Sequence, residues 1–210
     1  MNLDALSIAS LHVHPVKSCA GIAVNEATLI DTGFEYDREW MVVDAGGEFV
    51  SQREHPRLAL VRTALRGGDL VLRAPGMLAL HLHLDAVEGR CRVRVWDDTV
   101  NAYDMGDLAG QWFSDFLGLA KLRVARFDPE VSRLSSAQWS GGIAARNAFS
   151  DGFPILVTST ASLAELNRRL AAAGQDAVTM QRFRPNLVLD GLPDAHGEDF
   201  IDTLAIDSPD

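Results

Sequence analysis

Cysteine is scarce in this sequence, which has only Cys19 and Cys91 among its 210 residues. Two cysteines are too few for a disulfide framework, and their spacing excludes a CxxC redox or metal motif. The N-terminus has neither the charged region nor the apolar run of a signal peptide. No stretch approaches the roughly 20 apolar residues that a transmembrane helix needs. Together these absences predict a reduced, cytoplasmic protein.

Positive charge is also in short supply, because 29 Asp and Glu outnumber 19 Lys and Arg and leave a net charge of −10. Such a balance argues against a nucleic-acid-binding surface, which needs a basic patch, but it leaves room for a local cationic pocket. The sequence contains no GxGxxG, no P-loop and no GxSxG motif, so the common dinucleotide, nucleotide and hydrolase sites are not indicated.

What the sequence does contain is a close series of short apolar segments separated by glycine turns. Alternating or continuous apolar runs predict strands at residues 8–13, 24–30, 40–43, 49–52, 58–65, 70–73, 78–84, 91–96, 121–127, 155–157, 187–189 and 200–206. The run at 40–43 is apolar throughout, which indicates burial on both faces. Strands at this spacing predict a mainly β protein with a few helices, built as antiparallel barrels.

Two helices interrupt the strands. The first is predicted at residues 107–117, with Asp107 as its cap, Gly118 as its stop and an apolar face that includes Leu108. The second begins at Ser162 with the S-x-x-E pattern of a capping box and ends near Gly174. Residues 128–154 form a long segment without a clear element, and such segments are usually functional or disordered. We place a domain boundary near its start, giving domains of residues 1–126 and 127–210.

Three cations stand out as candidates for one anion-binding site. Pro15 ends the first strand and turns the chain, which is expected to display Lys17 and Ser18 on the turn. Arg38 and Arg184 follow in two separate basic segments. An ammonium beside a hydroxyl can hold a phosphate, and a guanidinium binds one in a bidentate manner.

The residues alone leave a second interpretation of these cations open. From the residues alone, three unrelated surface charges are the favoured interpretation. Arg38 in particular has Asp37 and Glu39 as neighbours in sequence, and either could neutralise it.

Histidine and cysteine offer weaker candidates. His12 with His14, and His81 with His83, each share one face of a predicted strand and could ligate zinc as a pair. A third ligand with suitable spacing is not evident, so solvent-facing strands are the favoured interpretation. Cys19 lies near a lysine and could be a reactive thiolate, but no histidine partner is evident. A buried structural thiol is therefore favoured.

Several segments occur together in an order that resembles a known family. They are PVKSC at residues 15–19, DREWMVVD at 37–44, and FRPN at 183–186 followed by a strand. This order resembles the MOSC superfamily, in the branch with an N-terminal β-barrel domain that includes the amidoxime-reducing components. The similarity covers residues 6 to 206 and implies an N-terminal barrel domain followed by a MOSC domain.

The resemblance implies a molybdenum cofactor, a metal held by a pterin, which is expected only in the full-length protein. The family residues that contact the pterin match Lys17, Ser18, Arg38, Asp151 and Arg184 in this sequence. Asn186 matches the same motif and is expected to orient the arginine loop. Phe153 falls where the family makes a further contact, but its different residue type implies a main-chain contact at most.

One feature departs from the family pattern. Family members ligate molybdenum through a cysteine that lies C-terminal to the RPN segment, and this sequence has no cysteine after Asn186. Cys19 and Cys91 match no metal ligand, so we assign none. The resemblance therefore implies a C-terminally truncated chain with a partial second domain. Such a domain is expected to expose an apolar edge near residues 187–189 and 200–206.

The implied function is a molybdenum-dependent oxidoreductase that, in its full-length form, reduces N-hydroxylated compounds. Electrons would come from a separate iron–sulfur or haem partner, because no cluster motif is visible. Catalytic residues are not identified, and neither nucleic acid nor membrane is an expected partner. Two alternatives stay open: a sulfur carrier that sulfurates the cofactor, and a non-catalytic module that binds a cofactor or a partner.

Overall fold

A computed structural model describes residues 6–205 of the chain. These residues fall into two compact units, one formed by residues 6–12 with 155–205 and the other by residues 13–154. Strands outnumber helices in both, so the predicted mainly β fold class is confirmed. The predicted domain boundary at residue 126 stays a prediction.

The strands are short and are numbered in chain order. They are β1 (Ser7–Val13), β2 (Ile22–Val24), β3 (Leu29–Ile30), β4 (Gly33–Phe34), β5 (Trp40–Val43), β6 (Arg62–Arg66), β7 (Asp69–Arg73), β8 (Leu80–His83), β9 (Gly89–Val95), β10 (Asp98–Asp104), β11 (Arg123–Phe127), β12 (Arg133–Leu134), β13 (Arg146–Asn147), β14 (Val157–Ser159) and β15 (Leu187–Asp190). The helices are α1 (Asp107–Leu117) and α2 (Thr160–Ala172), with 3-10 turns at Pro56–Leu60, Met180–Arg182 and Gly197–Phe200.

A four-stranded antiparallel sheet in the order β5-β11-β10-β9 lies at the centre of the unit formed by residues 13–154. All four residues of β5 are buried, which confirms the burial on both faces that its apolar run predicts. Trp40 and Val42 belong to one hydrophobic cluster, and Met41 and Val43 belong to a second. The sheet therefore separates two cores, since successive side chains of a strand point to opposite faces.

The first core also contains helix α1 and the three-stranded sheet β6-β7-β8. Helix α1 has the predicted bounds, but its N-cap is Gly106, and Leu108 is exposed rather than part of the apolar face. Its buried aromatic residues are Trp112, Phe113 and Phe116. Among residues 6–205 the sheets remain open and do not close into the predicted barrel. Side chains of α1 share the first core with the three-stranded sheet.

Several predicted strands are revised by the structure. Strand β10 was not predicted at all, although Val100 and Ala102 alternate with polar residues and are buried. The first part of the predicted strand at residues 58–65 is a 3-10 turn, because Pro56 fixes φ at its start. The predicted strand at residues 200–206 is wrong over its described part, where Phe200 ends a 3-10 turn and no strand covers residues 201–205; Ile206 lies outside the described residues.

In the unit formed by residues 6–12 and 155–205, β15 lies between β14 and β1. It pairs parallel with β14 and antiparallel with β1. Leu187, Val188 and Leu189 are each no more than 3% exposed. The expectation of an exposed apolar edge at these residues is therefore wrong, because a central strand has hydrogen-bonding neighbours on both sides.

Helix α2 begins one turn earlier than predicted. Its N-cap is Ser159, whose Oγ accepts a hydrogen bond from Ser162 N at 3.1 Å. The carboxylate of Glu165 binds Arg168 and Arg169 instead of returning to a cap. The capping box predicted at Ser162 is therefore wrong, and the serine three residues earlier provides the cap.

Helix α1 leads to a prediction about Gly110. A Cβ built at this position would lie 2.3 Å from the backbone oxygen of Leu122, which cannot move as a side chain can. Alanine normally favours a helix over glycine by about 1 kcal/mol. We expect Gly110→Ala nonetheless to destabilise the protein, by about 1–3 kcal/mol, as overpacked cores do.

Chemical denaturation of the two proteins measures this difference. Gly89→Ala is the matched control, because a Cβ at Gly89 meets nothing within 4 Å. A Gly110→Ala protein that is as stable as the parent would contradict the close packing of α1 on the chain at Leu122.

Candidate functional site

The backbone around Lys17 is held by a tight turn and by β5. Val16 bridges Trp40, and the Lys17 amide donates to the carbonyl of Trp40 at 2.7 Å. Cys19 N donates to Val16 O at 3.1 Å, which closes the turn. Ser18 lies within it at φ 70°, in the left-handed region that non-glycine residues seldom adopt. The side chain of Lys17 thus starts from a fixed position.

The ammonium of Lys17 is buried, with only 5% of the residue exposed. The expectation that Lys17 and Ser18 are displayed on the turn is therefore wrong; both are buried because β5 and neighbouring loops cover the turn. The Lys17 Nζ donates to the carbonyl of Phe149 at 2.8 Å and to Asp151 Oδ1 at 2.5 Å. It also lies 4.8 Å from the ring centroid of Phe49, within cation–π distance.

Burial lowers the pKa of Lys17 to about 8, well below its ordinary value. The carboxylate of Asp151 opposes that shift, while the positive charges of Arg133 and Arg38 add to it. Partial burial alone would raise the pKa of Asp151, but the Lys17 ammonium and the indole N–H of Trp96 hold it below its ordinary value. The site therefore gathers three cations, and each is paired with a carboxylate: Lys17 with Asp151, Arg38 with Asp37 and Arg133 with Asp98.

Arg133 organises the loop that carries Asp151. It is 9% exposed, and its Nη1 donates to the carbonyls of Ala148 at 3.0 Å and Ser150 at 2.7 Å. Its Nη2 donates to the carbonyl of Asp151 at 3.1 Å. Sequence reasoning missed this residue, because nothing in the polar segment around it signals which carbonyls it will reach.

Arg38 is anchored both by its backbone and by its side chain. Its φ of 51° is left-handed, and its carbonyl accepts from Phe149 N at 3.0 Å. Its guanidinium pairs with the buried carboxylate of Asp37, which also accepts from His14 N at 2.7 Å. The ion pair named as an alternative is thus present, and Arg38 is still close enough to Lys17 to lower its pKa.

Ser18 and Asp151 complete the predicted residues in this unit. Ser18 Oγ accepts a hydrogen bond from Gln52 N at 3.1 Å. Lys17 and Asp151 are in direct contact, 134 residues apart in sequence. Phe153 lies on the same loop and is 45% exposed.

Arg184 and Asn186 belong to the other compact unit. Arg184 follows a 3-10 turn at φ 57°. Asn186 is fully buried; its Oδ1 accepts from Leu156 N at 3.1 Å, and its Nδ2 donates to the carbonyl of His12 at 3.2 Å. This amide fastens the start of β15 to its two neighbours, directly after the arginine segment. A common cleft of Lys17, Arg38 and Arg184 stays a prediction.

The cysteines and histidines that the sequence offered as weaker candidates differ in their burial. Cys19 is fully buried in the first core, which confirms the structural thiol that the sequence favoured. Cys91 is half-buried on β9, and burial raises the pKa of its thiol. His14 is 4% exposed, so the solvent-facing interpretation is wrong for that residue, whereas His81 is exposed beside Asp69.

Residues 6–205 contain neither a metal-binding cluster nor a membrane-spanning helix. Within residues 6–205, no three His, Cys, Asp or Glu side chains are grouped so as to hold a metal ion. In the same residues no helix has the length and apolar character to cross a membrane. The predicted cytoplasmic location stays a prediction.

The Lys17–Asp151 pair leads to a prediction about proton binding. Because Asp151 holds the pKa of Lys17 up, we expect Asp151→Asn to lower it further below about 8. The chain has two lysines, the buried Lys17 and the exposed Lys121. An NMR titration of the lysine side chains therefore measures the pKa of Lys17 separately from that of Lys121. Asp107→Asn is the control, because Asp107 forms an equally short ion pair with Arg123.

The same shift sets a pH dependence of stability. The folded pKa of Lys17 is about 8 and its ordinary value is 10.5, so the unfolded chain binds more protons in this window. The contribution of Lys17 to the free energy of unfolding therefore rises with pH between these values.

An Asp151→Asn protein in which the Lys17 pKa stays at or above its parental value would refute the ion-pair assignment.

Comparison with known proteins identifies the family of this chain. The model of the MOSC N-terminal beta barrel domain matches residues 5–120, and that of the MOSC domain matches residues 144–207. Mitochondrial amidoxime-reducing component 1 of Mus musculus is 34% identical over 88% of this chain and 56% of its own length. Mitochondrial amidoxime reducing component 2 of Rattus norvegicus is 33% identical over 95% of this chain and 61% of its own.

More distant similarities extend to other proteins. Molybdenum cofactor sulfurase of Homo sapiens is 29% identical over 88% of this chain and 22% of its own length. A solution structure of a Bordetella bronchiseptica protein is 31% identical, covers 53% of this chain and 95% of its own, and has a TM-score of 0.41. The chain spans about three fifths of the length of the amidoxime-reducing relatives. Since one domain model covers more than half of its residues, the chain belongs to the MOSC family.

Proposed function

We propose that this chain binds the pterin of a molybdenum cofactor through Lys17, Ser18, Arg38, Asp151, Arg184 and Asn186, and that the full-length protein reduces N-hydroxylated compounds. The observation that carries the proposal is the buried ammonium of Lys17, 5% exposed in a chain of net charge −10. This ammonium is positioned by the carbonyl of Phe149 and by the exposed carboxylate of Asp151, and a charged donor held in this way forms strong hydrogen bonds with an anion. The names of the relatives, which refer to amidoxime reduction and to the cofactor, support this choice.

The residues fit the anionic part of such a cofactor. Lys17 has a charged donor that a phosphate oxygen could share with Asp151, and Arg38 and Arg133 add positive charge nearby. The carboxylate of Asp151, 65% exposed at its side chain, can accept from the N–H groups of a pterin ring. Asn186 would act indirectly, by holding the strand that follows Arg184.

The described residues offer no suitably placed thiolate ligand for the metal of the cofactor. A thiolate is the soft ligand that would fix the geometry and potential of the metal. Cys19 is fully buried in the core, and Cys91 carries a raised pKa. When bound, the cofactor would supply the redox chemistry, and this chain would bind it, orient it and exclude water from its phosphate. Electrons would come from a separate iron–sulfur or haem protein.

The second candidate is a role in sulfurating the cofactor. The similarity to molybdenum cofactor sulfurase favours it. Against it stands the position of Cys19, because a sulfur carrier needs an accessible thiolate and this thiol is buried. A non-catalytic module that binds the cofactor or a partner would use the same cations without any thiol.

Cofactor binding can be tested with a pair of lysine variants. We expect Lys17→Ala to weaken binding of cofactor released from a donor molybdoenzyme about ten- to hundredfold, since a hydrogen bond from a charged group contributes roughly 1.5–3 kcal/mol. Lys121→Ala is the control, because it removes the other lysine of the chain, which is exposed. Anaerobic equilibrium dialysis followed by pterin fluorescence measures the bound fraction. Equal binding by both variants would contradict the proposal.

The metal is tested separately. We expect the 210-residue protein, expressed with molybdate, to retain no molybdenum and to reduce no benzamidoxime with a chemical donor, because neither thiol is placed as a ligand. Elemental analysis and product chromatography measure the two quantities. The Mus musculus amidoxime-reducing component, prepared in parallel, is the positive control. Stoichiometric metal with turnover in this chain would overturn the assignment of no protein ligand.

A further inference from the structure

An open cavity of about 470 Å³ lies beside the Lys17 site, within residues 13–154. Its walls include the aromatic rings of Phe49 and Trp96 and the guanidinium of Arg53. We call it the Trp96 pocket. The proposed function gives none of these three side chains a role.

Trp96 is held in this pocket at a conformational cost. It occupies the two-residue turn between β9 and β10 at φ 54°, where glycine is the usual residue. Its indole Nε1 donates to Asp151 Oδ1 at 2.9 Å, and its ring meets the Phe49 ring at 5.5 Å in an edge-on arrangement. The side chain is thus fixed in orientation, yet 43% of the residue remains exposed. The backbone of Trp96 is strained while its ring stays partly exposed, and such strain is often found at binding sites.

The guanidinium of Arg53 stacks on the face of the Trp96 ring. The guanidinium carbon of Arg53 lies 5.2 Å from the Trp96 ring centroid. The positive charge of Arg53 acts on the carboxylate of Asp151, whose pKa it lowers. Three further acids line the same pocket: Glu48, Glu54 and Asp97. Arg53 is exposed, so its flexible side chain can leave the ring without disturbing the core.

The charges of the pocket favour a cationic occupant over an anionic one. Glu48 pairs with Arg94 at 2.9 Å and is neutralised. The Lys17 ammonium lies 5.9 Å from the Trp96 ring centroid and is paired with Asp151. The carboxylates of Glu54 and Asp97 then remain, against the guanidinium of Arg53. An aromatic face with carboxylates around it is the arrangement that binds planar cations in water.

We propose that the Trp96 pocket binds a planar amidine or guanidine group stacked on Trp96, and that the Arg53 guanidinium occupies this place until a ligand displaces it. The ligand class rests on the proposed function in one respect, since an amidine is the product expected from reduction of an amidoxime. Trp96 is then a residue that determines specificity, joined to the cofactor site through Asp151.

The proposal is tested by titrating the 210-residue protein with benzamidine and following the indole N–H signal of Trp96 by NMR. Trp96→Phe assigns the signal. We expect benzamidine to shift it, and Arg53→Ala to tighten the dissociation constant about two- to fivefold, because the competing cation–π contact at an exposed site is lost. Arg57→Ala is the matched control, since Arg57 lies over the ring of Phe116 instead and does not line the pocket.

Loss of one positive charge could by itself attract a cation, so a neutral ligand of the same shape separates the two effects. Benzamide should also bind Arg53→Ala more tightly if the guanidinium competes for the ring. Asp97→Asn should weaken benzamidine and leave benzamide unchanged. An unshifted Trp96 signal, or an Arg53→Ala protein that binds both ligands no better than the parent, would overturn the proposal. Benzamidine needs no cofactor to bind, so this titration can fail or succeed independently of cofactor binding.

Discussion

The contact on which this structure depends is the ion pair between the buried ammonium of Lys17 and the exposed carboxylate of Asp151. An ammonium that is 5% exposed needs partners for its donors, and the carbonyl of Phe149 and the carboxylate of Asp151 supply them. Removing the partner of a buried charge leaves that charge uncompensated, which is far more costly than losing a surface contact. The first turn of the unit and the loop before its end are therefore positioned together, across more than 130 residues of sequence.

Much of the surrounding architecture serves to hold that loop. Arg133 donates to the backbone carbonyls of Ala148, Ser150 and Asp151, and Asn147 Nδ2 donates to the carbonyl of Gly152 at 3.2 Å. Phe149 anchors the loop in the second core, on the face of the central sheet opposite helix α1. Polar groups thus set the conformation of the loop while one aromatic residue provides its attachment. That division allows Asp151 to stay exposed on a loop that is held by hydrogen bonds.

The same loop connects two regions with different chemistry. On one side the cations Lys17 and Arg38 suit an anionic group, and on the other Trp96 with its acidic neighbours suits a planar cation. Asp151 contacts both, because one of its oxygens accepts from Lys17 and from the indole of Trp96. A single carboxylate can in this way couple the occupancy of the two regions.

The sequence by itself determined the mainly β class, the bounds of α1 and the segments that carry the family resemblance. Those features depend on local periodicity, turn residues and residue order, all of which are legible along the chain. It did not determine that Lys17 is buried, that Arg133 shapes the site, or that Ser159 rather than Ser162 caps α2. Only the tertiary structure decided these, because burial and hydrogen-bond partners depend on groups far away in sequence. Lys17 meets Asp151 through the packing of β5 and the loop after β13, and no local pattern at either residue specifies that encounter.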